Sequence, residues 1–186
     1  APTRYPIIYI KAEQALPDFL QSYSSFSRIY AEIKQNITVR GIGEFAYRIS
    51  AGKTFGEAPL TYAQTMLNSA ANRLRLAVSV PNTFETMISS SVYLKEQVSL
   101  FTRFNFNKWK SFSKKFQPQI SLHHAVGFGN VVDKSRHFYT APYTGLEKGY
   151  YEAGLLINDI IGKNRFSAGL GGFYNYGPYS QPVVHK

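Results

Sequence analysis

The stretch Val39–Lys53, VRGIGEFAYRISAGK, decides which fold this chain can adopt. From position 39 to 51 its odd-numbered residues are apolar or small, whereas the even-numbered ones include Arg40, Glu44 and Arg48. Successive side chains of a β-strand point to opposite faces of the sheet, so this alternation predicts a strand with one apolar and one charged face. Its length, about 15 residues, far exceeds the usual strand of about 5 or 6 residues.

The same period of two recurs along the chain and predicts about eight long strands. The candidate segments are 5–12, 25–37, 39–53, 73–80, 92–106, 120–128, 151–158 and 166–176. A strand that crosses a lipid bilayer needs about 9–11 tilted residues, with apolar side chains outward and polar ones inward. The pattern therefore predicts an all-β fold. We expect an antiparallel transmembrane β-barrel, or the C-terminal half of a larger one, formed as a single domain by residues 1–186.

The connecting segments and one charged residue bear on this prediction. Asp159–Asn164 is predicted to be a short turn, whereas 107–116 and 130–148 are longer and polar, as external loops tend to be. Glu96 conflicts with a lipid-facing surface, because it falls on the apolar side of its strand. A bulge between Tyr93 and Gln97 would turn it inward.

A soluble β-sandwich or small barrel, binding a ligand or an acidic partner, is the alternative interpretation. It would also alternate, but with shorter strands and turns every 8–12 residues or so. The net charge of +10 comes from basic residues spread along the chain, so nucleic-acid binding is not predicted. The chain contains no cysteine, which excludes disulfides and thiolate chemistry.

Several short motifs resemble one family in the same order. They are Ala51–Gly56 followed by Pro59, Phe84–Met87 against a Phe-Asn-x-Met, Leu146–Leu155, and Phe173–Tyr179 against a Phe-Tyr-Arg-Tyr-Gly. The family comprises large Bacteroidota outer-membrane proteins with an N-terminal carboxypeptidase-regulatory-like domain. This chain resembles their C-terminal barrel region, a domain of unknown function. It departs from the family pattern around Lys108–Gln117.

The resemblance implies an integral protein of the bacterial outer membrane. Its expected role is structural, or related to biogenesis or transport, without catalytic activity. Its expected partners are membrane lipid and lipopolysaccharide. The family also has strands before the position of residue 1 and after that of Lys186, so we expect pairing with barrel segments outside this sequence.

Five charged residues are candidates for an inward-facing lining: Arg40, Glu44, Arg48, Arg103 and Glu152. The alternation turns them away from the apolar positions, which are expected to face lipid or the apolar surface of a partner. Those positions are Val39, Phe45, Tyr47, Ile49, Val98, Leu100, Leu155 and Leu170. The lining could select solutes or bind a plug. The pattern favours a second interpretation, an internal ion-pair network that stabilises the wall.

A second group of candidates forms a basic loop: Lys108, Trp109, Lys110, Lys114 and Lys115. It could meet lipopolysaccharide phosphates or an acidic partner, or it could be a merely solvated loop. No catalytic or phosphate-binding motif is present in the sequence. The adjacent His123 and His124 point to opposite faces of a strand, so they cannot chelate one metal ion together. We therefore expect no enzyme, metal or cofactor.

Overall fold

A computed structural model describes residues 2–17, 25–58, 64–65, 81–87, 93–109, 117–131, 146–163 and 166–180. All regular structure in these residues is strand. The strands are β1 (Ile7–Ala15), β2 (Ser25–Val39), β3 (Gly43–Glu57), β4 (Gln64–Thr65), β5 (Tyr93–Phe106), β6 (Gln119–Val131), β7 (Leu146–Lys163) and β8 (Phe166–Tyr176). The candidate strand 73–80 lies outside the described residues.

The strands form one antiparallel sheet in which the seven long strands are neighbours in chain order. The two-residue strand β4 lies off this path and pairs with β5. Within the described residues β1 pairs only with β2, and β8 pairs only with β7. The all-β antiparallel prediction is therefore confirmed, and the sheet is not closed into a barrel.

The register places most of the apolar residues of the long strands on one face, here called the apolar face. One row across the sheet contains Ile33, Ile49, Leu100, Val126 and Tyr151, each paired with the next. Many large apolar side chains of this apolar face are exposed, with Leu155 at 48% and Leu170 at 68%. The opposite face, the polar face, is the one that is buried. Its strands present Glu32, Ser50, Gln97, Ser99, Ser121 and Glu152, each at most 8% exposed.

The turn between β2 and β3 corrects the predicted strand 39–53. Val39 ends β2, Arg40–Ile42 form the turn, and the Ile42 N–H donates to the Val39 carbonyl at 3.0 Å. Gly41 has a φ of +79°, a conformation that side chains disfavour. The odd residues of β2 and β3 both lie on the apolar face, so the alternation continued through the turn and hid it. Arg40 is exposed in this turn rather than aligned with Glu44 and Arg48.

The end of β7 corrects a second boundary. Most of the predicted turn Asp159–Asn164 belongs to the strand, which runs to Lys163. Asp159 has a φ of +56°, and the register to β8 shifts between Ile157 and Ile161, so a bulge interrupts the alternation there. The predicted loops 107–116 and 130–148 were both expected to be external. Both ends of the second are strand, because residues 130–131 belong to β6 and residues 146–148 to β7. The two connections begin at opposite ends of the sheet, because β5 and β6 are antiparallel.

The bulge expected near Glu96 exists, but it reorients a different residue. The β5–β6 register shifts between Leu94 and Glu96. Leu94 is fully buried, whereas Glu96 stays on the apolar face. There its carboxylate pairs with Lys53 Nζ at 2.8 Å and accepts a hydrogen bond from Asn130 at 2.5 Å. The charge is therefore neutralised where it lies, and the expectation that it would turn inward was wrong.

Two adjacent glycines of β8 allow a matched test of the packing between β7 and β8. A Cβ at Gly171 would lie 2.1 Å from the Leu155 carbonyl oxygen, whereas a Cβ at Gly172 would meet nothing within 4 Å. We expect Gly171→Ala to destabilise the domain by about 1–3 kcal/mol, because the backbone of β8 must move. Gly172→Ala should leave the urea unfolding midpoint unchanged or slightly raised. Equal midpoints for the two variants would contradict the close approach.

Candidate functional site

The segment Pro81–Met87, here called the cover segment, lies against the polar face of β5, β6 and β7. Phe84 is fully buried, and its ring contacts Phe101 at a centroid distance of 4.9 Å and Tyr150 at 5.3 Å. The buried apolar cluster beneath the segment consists of Phe84, Met87, Leu94, Phe101, Ala125, Leu146 and Tyr150. The cover segment, rather than a second sheet, covers the strand residues of this small core.

Glu152 of β7 anchors the cover segment and is only 2% exposed. Its Oε1 accepts the Glu85 N–H at 3.0 Å, and its Oε2 accepts the Thr86 N–H at 2.6 Å and the Thr86 hydroxyl at 2.5 Å. The Tyr150 hydroxyl lies 2.8 Å from the Thr86 hydroxyl and completes the group. A buried carboxylate requires such donors, because an unsatisfied charge would be costly to bury.

A separate ion-pair network lies on the polar face of β2 and β3. At its centre Arg48 Nη2 contacts Glu32 Oε2 at 2.6 Å, and Lys34 Nζ lies 3.3 Å from Glu32 Oε1. The Tyr30 hydroxyl donates to Glu32 Oε2 at 2.9 Å and accepts a bond from Arg48 at 3.2 Å. Several charged groups thus share one network, a geometry that stabilises more than an isolated surface pair.

A second ion-pair group, centred on Glu13, lies beside it on β1 and β2. The Glu13 carboxylate lies 2.7 Å from Lys11 Nζ and 3.5 Å from Arg28 Nη1. Sequence reasoning missed Glu13 and Glu32 as members. Both lie on the same face as Arg48. Glu13 falls one residue beyond the predicted strand 5–12, and the irregular alternation of 25–37 obscured Glu32.

The five predicted lining residues are not brought together in one site. Arg48 belongs to the ion-pair network, and Glu44 is half-buried on the same face. Arg103 and Glu152 instead line a cavity of about 20 Å³ beneath the cover segment, which is enough for one water molecule. Arg40 lies in the β2–β3 turn, so the structure divides the predicted lining into two groups and an exposed residue.

The predicted basic loop is described only at its beginning. Lys108 Nζ forms an ion pair with Asp159 Oδ2 at 2.6 Å, and Trp109 is 70% exposed. Lys110, Lys114 and Lys115 lie outside the described residues. Lys108 therefore links the end of β5 to the bulge of β7.

The adjacent histidines His123 and His124 contact aromatic residues on opposite faces of the sheet. The His123 ring contacts Phe173 on the polar face, and His124 Nε2 lies 2.5 Å from the Tyr176 hydroxyl on the apolar face. The two imidazoles thus point apart as predicted. No group of three or more potential ligands that could hold a metal ion occurs among the residues described. Within those same ranges, no helix has the length and apolar character to cross a membrane.

The profile of one protein family matches the chain. It describes the C-terminal domain of a family of unknown function, DUF5686, and it covers residues 1–155. The matched region contains the ion-pair network, the cover segment and Glu152. No curated protein and no solved structure matches the chain.

Replacing the anchoring carboxylate tests how the cover segment is held. We expect Glu152→Ala to lower the free energy of unfolding by about 2–4 kcal/mol, because three donors lose a charged acceptor. Hydrogen exchange at the Glu85 and Thr86 amides should accelerate. The control is Glu147→Ala, an exposed position on the same strand. Unchanged amide exchange in the Glu152 variant would show that the apolar cluster alone holds the segment.

Proposed function

Because the chain belongs to the family of unknown function DUF5686, whose C-terminal domain it matches, we propose that it forms part of the wall of a transmembrane β-barrel. The large apolar side chains exposed on one face of the sheet support this proposal. The barrel would lie in the outer membrane of a Bacteroidota species. The complete protein would also carry an N-terminal carboxypeptidase-regulatory-like domain. Its role would be structural or related to biogenesis or transport, without catalysis.

The observation that carries this proposal is the inverted arrangement of the two faces. Ile29, Ile49 and Val98 are 41–50% exposed, whereas Glu152 and Gln97 are buried on the other face. Soluble monomers rarely expose continuous apolar patches beyond a few hundred Å². Lipid removes the cost of that exposure, because the hydrocarbon interior of a bilayer is itself apolar.

Strand length and the position of aromatic residues support the same proposal. β2, β3, β5 and β7 have 14–18 residues, more than the 9–11 or so that a bilayer crossing requires. Aromatic side chains lie near both ends of the apolar face. Phe45, Phe104 and Phe106 are near the β2–β3 turn, and Phe55 and Phe128 lie toward the opposite end. Transmembrane barrels carry aromatic residues at both interfaces.

The ion pair on the apolar face is compatible with this placement. Lys53 and Glu96 lie near the ends of β3 and β5, on the side away from the β2–β3 turn. A charge near the membrane interface costs only about 0–1 kcal/mol, far less than one at mid-bilayer. The soluble binding module remains the competing function, and it would require a second layer that covers the apolar face.

The outer edges of β1 and β8 must also be satisfied. Unpaired backbone groups in hydrocarbon cost several kcal/mol each, so only closed sheets are stable there. We propose that both edges pair with further barrel strands from outside residues 1–186. The basic loop at Lys108 and Trp109 would then lie at an interface, where it could meet lipopolysaccharide phosphates.

Cysteine labelling of the full-length protein in native membranes tests the orientation. We expect Arg40→Cys, in the exposed turn, to react quickly with a water-soluble maleimide. Tyr47→Cys on the apolar face should be protected until the protein is denatured. Equal reactivity of positions 40 and 47 in intact membranes would contradict the lipid-facing assignment, and denatured samples provide the control for intrinsic reactivity.

Expression of residues 1–186 alone tests the unpaired edges. We expect no monomeric barrel with heat-modifiable migration in detergent gels, because β1 and β8 lack partners. The full-length protein should show such migration and partition with the membrane fraction. A folded, monomeric, heat-modifiable product from residues 1–186 would overturn the proposed pairing with outside strands.

A further inference from the structure

A second cavity, of about 230 Å³, lies on the polar face at the junction of β1, β2, β3 and β5. Six of its lining residues come from β1, β2, β4 and β5: Tyr9, Lys11, Arg28, Tyr30, Gln64 and Gln97. The hydroxyls of Ser50 and Ser99 form the rest of the lining and lie 2.6 Å apart. The cavity is distinct from the small one beneath the cover segment.

Two deeply buried amides in this lining have unsatisfied oxygen atoms. Gln64 is fully buried and Gln97 is 5% exposed. The Gln64 side-chain nitrogen donates to the Thr54 hydroxyl at 3.2 Å. Within the described residues, neither Gln64 Oε1 nor Gln97 Oε1 has a hydrogen-bond partner, and the same is true of Arg28 Nε. A buried unpaired polar group costs about 1–3 kcal/mol, so three in one lining indicate a polar occupant.

The pattern of unpaired atoms distinguishes between kinds of occupant. Lys11 and Arg28 alone would suggest an anion, but the Glu13 carboxylate contacts both of them. A fully ionised anion such as a carboxylate also has no hydrogen to donate to two amide oxygens, and hydrogen phosphate has fewer hydroxyl groups than a sugar. Arg28 Nε requires an acceptor, so the occupant must both donate and accept. Each hydroxyl group does both.

The rings of Tyr9 and Tyr30 provide the apolar part of the lining. Their centroids lie 6.3 Å apart in an edge-to-face arrangement. Aromatic rings beside a few well-placed polar groups are typical of sites that bind small molecules. We propose that this cavity binds a neutral, hydroxyl-rich ring, either a monosaccharide or the terminal sugar of a glycan. The proposal concerns the polar face alone and does not depend on membrane insertion.

Calorimetric titration of the full-length protein in detergent micelles tests this site. The probes are D-glucose, D-galactose and lactose, with inorganic phosphate as the anionic comparison. We expect saturable binding of at least one sugar at millimolar concentration and none of phosphate. Gln97→Met, which keeps the side-chain length and removes the amide, should weaken sugar binding at least tenfold. The matched control is Gln119→Met on the polar face of β6, where the amide bonds only the Phe106 carbonyl among the described contacts.

Each outcome decides for or against the site. No saturable binding of any of the three sugars would overturn the proposal and leave water as the occupant. Equal sugar affinity in the Gln97 and Gln119 variants would place the binding elsewhere. Binding of phosphate in preference to sugar would show that Lys11 and Arg28 dominate. If Gln97→Met does not fold, Tyr9→Ser at the half-exposed rim on β1 replaces it, with the same tenfold weakening expected.

Discussion

The structure depends on antiparallel pairing that stays in phase across seven long strands. Because the side-chain period of a strand is two, a slip of one residue between any two strands would exchange their faces. The row from Ile33 through Ile49 and Leu100 to Val126 shows that the central part of the sheet contains no such slip. The register shifts lie outside this row, toward the ends of the strands, at Leu94/Glu96, Gly127/Gly129 and Ile157/Ile161. Irregularities are therefore found toward the strand ends, where a change of face affects few side chains.

In-phase pairing collects the charged side chains on the polar face, and this face is the buried one. Its charged groups therefore need partners of their own. Two solutions are used in different parts of the sheet. On β2 and β3, Glu32 and Arg48 neutralise each other with the help of Tyr30. On β7, Glu152 binds backbone and side-chain donors of the cover segment. Either solution stabilises a sheet whose apolar residues lie mostly on the exposed face, with only a small apolar cluster beneath the cover segment.

The cover segment connects the motif comparison to the architecture. Phe84–Met87 was one of the motifs that resembled the family, and Phe84 and Met87 are the fully buried residues of the segment. The family profile spans both the segment and the strand that anchors it. This motif therefore marks a segment that packs back onto the sheet. Its large apolar residues, Phe84 and Met87, lie outside any long strand because they fill the apolar cluster on the polar face.

The sequence by itself determined the all-β antiparallel class, the seven long strands found in the described part of the chain, and the face on which most side chains lie. These properties follow from local alternation, which needs no knowledge of distant contacts. Only the tertiary structure decided that Arg40 lies in a turn, that Glu32 is the partner of Arg48, and that Glu152 binds Thr86. The residues of that last pair are separated by 66 positions. Alternation assigns a side chain to a face, but the pairing register and the path of returning segments decide which group it meets there.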